Sequence, residues 1–479
     1  MVFNCFNFWL VFPLIFMIYW AIPVKFNRTR NLFLLAVSYL LYMNWKPSFA
    51  IVLLGVTAIC YWGGQILDNK EDGSRKRILC WCFAILGLLP LLVFKYYNFL
   101  NESLTLALES VGMHLALPGL NWAIPVGISF FTFQAIGYLL DVYKKRIPAE
   151  NDFLDFALFV SFFPQVTSGP ISTAKELIPQ FKTPHNFRYE QGRDGLKMLL
   201  WGMFLKLALA DRIGLYVDTV YSNYIHYSGA ICLIASTMYT IQIYCDFAGY
   251  SLMAIGIAKT LGFDLINNFE RPYLAASVTE FWKRWHISLT RWLTTHVYIN
   301  LGGNRCSKIR QYINIMITFL VSGLWHGANW TFIIWGAFHG FFQIIEKALM
   351  GDKLKAELKR GIHKFSLIRG LRTLFTFTLV SFAWIFFRMP TLDGAVDVIV
   401  KIFTDFEQFS MGPLDPISMV GIGVGLPILF AREIREEYLS NRIKVLDYKM
   451  VKWAFYILVA SYTLAMGVLD AGQFIYVSF

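Results

Sequence analysis

Charged residues are scarce in this chain. Only 15% of its 479 residues are Asp, Glu, Lys or Arg, whereas 57% are hydrophobic. Soluble domains carry about 25% charged residues, so the chain lacks the charges needed to cover a water-facing surface of its length. The shortage excludes one soluble domain or a series of them. It indicates a protein whose main solvent is the lipid bilayer.

Cysteines and nucleotide-binding motifs are also scarce. Of the seven cysteines, Cys80 and Cys82 are one residue apart and have no matching pair, which argues against zinc. We interpret the cysteines as small buried side chains and expect neither a metal nor a permanently bound cofactor. The sequence has no Walker loop, Cys-x-x-Cys pair or Gly-x-Ser-x-Gly elbow, which disfavours ATP-driven transport.

Uncharged apolar runs extend along most of the chain. They cover residues 6–24, 32–44, 49–67, 78–94, 118–140, 229–245, 311–345, 373–387, 417–431 and 453–469. A spanning helix needs ~20 apolar residues. Further helices are expected at 152–163 and 195–210. In the second of these, Lys197 and Lys206 indicate surroundings of protein rather than lipid. We predict an all-α protein with about ten or eleven transmembrane helices, in a single membrane domain covering residues 1–479.

Basic residues give the chain a net charge of +12. They lie in short loops between apolar runs, so membrane orientation explains them better than nucleic acid, and no nucleic-acid partner is expected. The loops after the first, third and fifth runs are basic, which places them in the cytoplasm and both termini outside it. Residues 6–24 lack the basic start of a cleavable signal and are expected to span the membrane.

Residues 262–304 combine tryptophans and basic residues with apolar residues at roughly helical spacing. One interpretation is an amphipathic helix at the membrane surface, with Trp282, Trp285 and Trp292 at headgroup depth. His286 fits that interpretation less well. The alternative is that His286 has a functional role.

His326 lies inside the apolar run 311–345. An ionisable residue at membrane depth is costly, so it is a functional hypothesis by default. A packing histidine that bonds across helices is the alternative. Asn329, three residues later, could share its face if the helix is continuous, whereas His339 is interpreted as a packing residue.

The same run is too long for one span. Its glycines at 323, 327 and 336 suggest a break or a helix pair. Elsewhere, Asp246 is a polar residue among apolar ones, and either a buried donor partner or a catalytic role would explain it.

Several motifs together resemble one known family, the membrane-bound O-acyltransferases (MBOAT), in their bacterial, alginate O-acetyltransferase-like branch. The likeness follows the order of the chain and covers most of it. The motifs are PVGISFFTFQ at 125–134, FFPQ at 162–165, SGPI at 168–171, DFAGYS at 246–251, ERPY at 270–273, FWKRWHISL at 281–289 and WHG at 325–327.

The resemblance implies a fold, a reaction and its residues. It implies a ring of helices around a thinned centre, in the cytoplasmic (inner) membrane, where acetyl-CoA from the cytoplasm meets an acceptor outside. His326 matches the family's membrane-embedded histidine and would be the base that deprotonates the acceptor hydroxyl. His286 matches a second family histidine and, with Asn329, is a candidate to orient the imidazole or polarise the carbonyl; Asp246 and Trp325 would support the site.

Relatives in this branch carry or recruit an aromatic tail with a tyrosine. Tyr476 lies in a comparable tail and could relay the acetyl group to an extracytoplasmic SGNH-type acetyltransferase; an aromatic membrane anchor is the alternative. An exopolysaccharide is the expected acceptor. Peptidoglycan O-acetylation, D-alanyl transfer to teichoic acid, a transporter or flippase, and a non-enzymatic scaffold remain as other interpretations.

Overall fold

A computed structural model describes residues 6–113, 118–360, 366–405, 412–439 and 448–468. Within these ranges the regular secondary structure is helical throughout and no strand occurs. The prediction of an all-α protein is therefore confirmed.

The chain divides into two compact units. The first comprises Met1–Leu196 and Ala254–Ile266, and the second comprises Lys197–Met253 and Asn267–Phe479. The helices up to residue 188 are α1 (Phe6–Ala21), α2 (Asn27–Met43), α3 (Pro47–Asp68), α4 (Ser74–Leu91), α5 (Tyr97–Glu109), α6 (Ile128–Tyr143), α7 (Phe153–Ser161) and α8 (Ala174–Lys182).

The later helices include those of the second unit. They are α9 (Tyr189–Met203), α10 (Asp211–Ser222), α11 (Gly229–Thr260), α12 (Val278–Arg284), α13 (Ile287–Leu293), α14 (Lys308–His326), α15 (Trp330–Arg360), α16 (Leu367–Arg388), α17 (Leu392–Thr404), α18 (Pro416–Ile434) and α19 (Lys449–Met466). Short π-helical segments follow α4, α9, α13 and α18.

Polar side chains define where many of these helices begin. Each lies at the N-cap position and accepts a hydrogen bond from a backbone N–H in the first turn, which would otherwise lack an intrahelical partner. They are Asp152 of α7, Ser277 of α12, Ser307 of α14, Ser366 of α16, Thr391 of α17 and Asp415 of α18.

Five helical segments in the described ranges are long and apolar enough to cross a bilayer. They are Pro47–Asp68, Ser74–Glu109, Gly229–Thr260, Leu367–Arg388 and Pro416–Leu439. A sixth span results if Asn7–Ala21 and Val24–Met43 are counted as one, although the chain bends by 106° between them. By this criterion, fewer spans are seen than the ten or eleven that hydropathy predicted.

The long apolar run at 311–345 is two helices, as its glycines predicted. Helix α14 ends at His326, Gly327 is extended (φ −161°, ψ 151°), and α15 begins at Trp330. The helices pack closely where they lack side chains: a Cβ on Gly323 would lie 2.3 Å from the Phe332 carbonyl oxygen. A Cβ on Gly336 would similarly lie 2.3 Å from the Phe319 carbonyl oxygen.

Gly336→Ala is therefore expected to force α14 and α15 apart. Overpacking of this kind costs about 1–3 kcal/mol, and the midpoint of thermal unfolding in detergent should fall. Gly55→Ala in α3 is the matched control, because nothing lies within 4 Å of its added Cβ. Equal midpoints for the two variants would show that the close approach of α14 and α15 is not needed.

Candidate functional site

His326 is the last residue of α14 and is buried, with 2% of its surface exposed. Its imidazole is enclosed by aromatic rings from three helices. The ring centroids of Trp325, Trp335 and Phe387 lie 4.9, 5.0 and 5.2 Å from that of His326. The helix break at Gly327 thus leaves the imidazole at a helix end, inside an aromatic enclosure.

His286 lies between α12 and α13 in a left-handed backbone conformation (φ +43°, ψ 53°). Positive φ is uncommon for residues other than glycine, so surrounding contacts must hold this turn. The side chain is fully buried, and Nδ1 lies 3.3 Å from Oδ1 of Asn268. The centroid of the Phe247 ring is 4.6 Å away.

Asn268 holds this turn through several hydrogen bonds. Its Oδ1 accepts from the backbone N–H (3.1 Å) and the hydroxyl (2.9 Å) of Ser288, and its backbone carbonyl accepts from the Ile287 N–H (3.0 Å). Because an N–H can only donate, the atom facing Ser288 is the amide oxygen. His286 Nδ1 therefore donates to that oxygen, and its Nε2 is left as the acceptor nitrogen.

Asn268→Ala should release the His286 turn. Loss of this oxygen leaves buried donors unsatisfied, each at a cost of about 1–3 kcal/mol, and the imidazole loses its fixed tautomer. We expect a lower thermal midpoint and a lower rate of acyl transfer. Asn268→Asp, which keeps the oxygen acceptor, should retain more of both. If the alanine variant has the thermal midpoint and the transfer rate of the wild type, the His286 turn is stable without the Asn268 side chain.

The two histidines predicted from sequence come together in the second unit. Their ring centroids are 6.4 Å apart. Trp325 contacts both, with centroid distances of 4.9 Å to His326 and 5.7 Å to His286. Three of the predicted site residues thus form one cluster.

Asn329 has a different setting from the one the sequence suggested. The helix is not continuous through it, because α14 ends at His326. Its Oδ1 accepts from the Thr331 N–H (3.0 Å) and its Nδ2 donates to the Pro390 carbonyl (2.8 Å). The Asn329 side chain therefore shapes the start of α15.

Asp246 pairs with a buried donor. Its Oδ1 lies 2.6 Å from Nζ of Lys206, which also lies 2.5 Å from Oδ1 of Asp211. All three side chains are about 1% exposed. The triad joins the π-helical segment Phe204–Ala210 to α10 and α11, and the next residue on α11, Phe247, packs on His286.

A cleft of about 350 Å³ is lined by residues of the chain segments that carry the two histidines, although neither histidine is itself a lining residue. Its inner end is lined by the buried side chains Trp282, Leu289, Phe319 and Ser322. Leu289 is three residues after His286, and Ser322 is one helical turn before His326. The segments that carry the two histidines therefore also form the inner wall of the cleft.

The outer part of the cleft is polar and positively charged. Lys283 and Asn304 are exposed there, and the half-buried Lys347 places Nζ 3.1 Å from Oδ1 of Asn304. The Tyr298 hydroxyl donates to the same oxygen at 2.8 Å. The cleft thus combines an apolar interior with a cationic mouth.

Ion pairs hold the helix that carries Trp282 and Lys283. Glu280 accepts from Arg284 (2.7 Å) and from Arg369 (2.8 Å), and also from the Ala276 N–H (2.9 Å). Burial raises the pKa of Glu280, but the two guanidiniums and the Ala276 N–H lower it by more, so the net pKa lies below its usual value. The carboxylate stays ionised and fixes α12 at the cleft.

Sequence patterns did not reveal the roles of three residues of this region, His339, Trp335 and Asn268. Trp282 donates from Nε1 to Nδ1 of His339 (3.2 Å), so the packing histidine also fixes a wall of the cleft. Trp335 lies between His326 and His339, with centroid distances of 5.0 and 4.9 Å. Asn268 lies within the stretch 262–304 but in none of the motifs that carry the family resemblance.

Other expectations have mixed outcomes. Trp282 and Trp285 are buried in the second unit, so the interpretation of 262–304 as an interfacial helix is wrong for them. Cys60, Cys80, Cys232 and Cys245 are buried as predicted, whereas Cys82 is exposed. Tyr476 lies outside the described residues. Among those described, no group of three or more His, Cys, Asp or Glu side chains could hold a metal.

Comparisons with known proteins show the family to which the chain belongs. Residues 143–386 match the model of MBOAT, the membrane-bound O-acyltransferase family. The chain is 37% identical to a probable alginate O-acetylase of Pseudomonas aeruginosa (84% of this chain, 75% of the relative) and 36% identical to one of Azotobacter vinelandii (89% and 82%). It is 35% identical to a peptidoglycan O-acetyltransferase of Helicobacter pylori (77% and 73%).

The family match covers half of the chain and includes both histidines, the cleft and the Lys206 triad. Apolar helices of spanning length are present in the same chain. The chain is therefore a multi-pass membrane protein that belongs to the membrane-bound O-acyltransferase family, and it is an O-acyltransferase.

Proposed function

We propose that this protein transfers an acetyl group from cytoplasmic acetyl-CoA across the membrane for O-acetylation of an extracytoplasmic polysaccharide. The observation that carries the proposal is a pair of buried imidazoles on the chain segments that also form the inner wall of a cleft with a cationic mouth. An apolar cleft with a few converging polar groups is the usual form of a small-molecule site.

His326 is the general base in this proposal. It takes the proton of an acceptor hydroxyl, whose oxygen attacks the thioester carbonyl carbon and forms the new C–O bond. As the tetrahedral intermediate collapses, the C–S bond breaks, and the imidazolium returns the proton to the departing sulfur. The products are an acetyl ester and the free thiol of coenzyme A. His286, held by Asn268, orients the acetyl group or the His326 ring.

The charge and polarity of the cleft suit the donor. Lys283 and Lys347 at its mouth suit the phosphates of coenzyme A, and the apolar interior suits the pantetheine arm. With this placement the thioester reaches the inner end, at Ser322, one helical turn before His326. The donor's charged nucleotide part stays in water.

The membrane topology belongs to the same proposal. The basic loops favour an orientation with the donor side of the protein in the cytoplasm and both termini outside. The proposal also counts helices such as α14 and α19 as spans, and it keeps the predicted count of about ten or eleven spans and the ring around a thinned centre that the family resemblance implies. An SGNH-type transferase outside the membrane receives the acetyl group, and Tyr476 is its proposed carrier.

Two acceptors are supported by relatives. The probable alginate O-acetylases favour an exopolysaccharide. The Helicobacter pylori relative is named a peptidoglycan O-acetyltransferase, which makes peptidoglycan the second candidate.

Membrane vesicles that contain the protein test the donor and the acceptor together. Acetyl-labelled acetyl-CoA is supplied on the cytoplasmic face, with polymannuronate or peptidoglycan fragments on the other. We expect label in an acceptor or in a partner protein, and none when the vesicles lack the protein. Transfer of D-alanine from a carrier protein, with none from acetyl-CoA, would contradict the proposal.

A further inference from the structure

Ser322 is one of a few helical serines and threonines whose buried hydroxyl has no hydrogen-bond partner among the described residues, and it alone of these lines the cleft; the others are Thr132, Thr331, Ser381 and Ser418. In an apolar helix, serine and threonine usually bond back to the carbonyl four residues earlier. Ser236, Thr318 and Thr463 do so, with oxygen–oxygen distances of 2.7 Å. The Ser322 hydroxyl is buried and has no hydrogen-bond partner among the described residues.

The Ser322 hydroxyl belongs to a residue that lines the cleft. Ser322 is 2% exposed and lines the inner end of the cleft, one helical turn before His326 on α14. A buried polar group without a partner costs about 1–3 kcal/mol. A ligand in the cleft that brings an acceptor oxygen would supply the missing bond.

We propose that the Ser322 hydroxyl donates a hydrogen bond to the thioester carbonyl oxygen of the acyl donor in this cleft. The inference rests on the proposed function, because it takes acetyl-CoA as the donor and His326 as the base. Residues four apart lie on one helix face, so the hydroxyl and the imidazole address the same carbonyl group. Ser322 then stabilises the negative charge that develops on the oxygen as His326 removes the proton.

The surroundings favour a carbonyl oxygen over other groups. The inner wall beside Ser322 is made of Trp282, Leu289 and Phe319, which offer an acyl group apolar contacts. The charged groups of the cleft, Lys283 and Lys347, are at its outer part, where phosphates would bind. The thioester carbonyl of the acyl donor is neutral and accepts hydrogen bonds. It is therefore the part of the acyl donor that suits an apolar wall with a single hydroxyl group.

Steady-state kinetics with acetyl-CoA test this inference. Removal of one such donor lowers kcat by about 10²–10³-fold, so Ser322→Ala should lose about 10²-fold in kcat while KM for acetyl-CoA changes little. Ser322→Thr keeps a hydroxyl and should retain most of the activity. Thr463→Val is the control: it removes a buried helical hydroxyl outside the cleft, one already bonded to its own helix.

The outcomes separate the inference from the proposed function. Wild-type kcat in Ser322→Ala together with an inactive His326→Ala variant would overturn the role of Ser322 and leave the base in place. Full activity of both variants would overturn both. A rise in KM alone, with kcat unchanged, would show that Ser322 only binds the ground state and would also overturn the inference.

Discussion

His326→Ala is expected to lower kcat for acyl transfer by at least about 10²–10⁴-fold, the loss typical of a missing general base. A hydroxyl is a poor nucleophile until its proton is removed. His326 lies beside His286, one helical turn after Ser322, which lines the inner end of the cleft. The measurement is the initial rate of labelled acetyl transfer per folded enzyme in vesicles.

His226→Ala is the matched control for this loss. His226 is exposed in a short 3₁₀ segment of the second unit, away from the cleft lining. Both variants should elute as single species with similar thermal midpoints. If His326→Ala transfers acetyl groups as fast as His226→Ala, His326 has a packing role only.

Lys206→Met is expected to have the largest effect on stability. The lysine forms ion pairs with both Asp211 and Asp246, at 2.5 and 2.6 Å, and all three side chains are about 1% exposed. Removing one partner of a buried ion pair costs about 3–5 kcal/mol, because it leaves an uncompensated charge in the interior. The apparent free energy of unfolding can be measured by denaturation with SDS in mixed micelles.

The triple variant Lys206→Met, Asp211→Asn, Asp246→Asn tests whether charge is the cause. It removes all three charges at once, so it should be less destabilised than Lys206→Met alone. The triple variant could instead lose as much free energy of unfolding as three independent substitutions added together. In that case packing, rather than the unpaired carboxylates, determines the result.

Local patterns in the sequence predicted much of the architecture. The helix break before α15 followed from glycines in a run too long for one span, and Gly323 and Gly336 prove to lie where backbones touch. His326 stood out because an ionisable residue is costly inside an apolar run. These signals work because they depend on a few neighbouring residues.

Contacts between distant residues could not be predicted in this way. Asp246 and Lys206 are 40 positions apart, and the bond between Trp282 and His339 crosses 57 positions. The helical spacing of Trp282 and Trp285 fits an interfacial helix and a buried one equally well, since both present one apolar face. Whether the two tryptophans are buried decides between these interpretations. Their burial depends on packing against α14, α15 and α16.

The two ways of counting spans differ for a related reason. Hydropathy marks apolar stretches, but α14 and α15 carry polar residues that other protein segments cover, such as Asn314 and His339. Such helices differ from lipid-facing ones in what surrounds them, which composition alone does not show. The 106° bend after Ala21 is likewise invisible in a hydropathy average.

The single-turnover rate of acetyl-CoA cleavage tests the central claim most directly. With folded enzyme in excess over donor and acceptor present, this rate reports the chemical step apart from product release. The account predicts rapid thiol release by the wild type and a rate lower by about 10²–10⁴-fold for His326→Ala. Equal rates for the two proteins would contradict it, because acyl transfer would then proceed without His326.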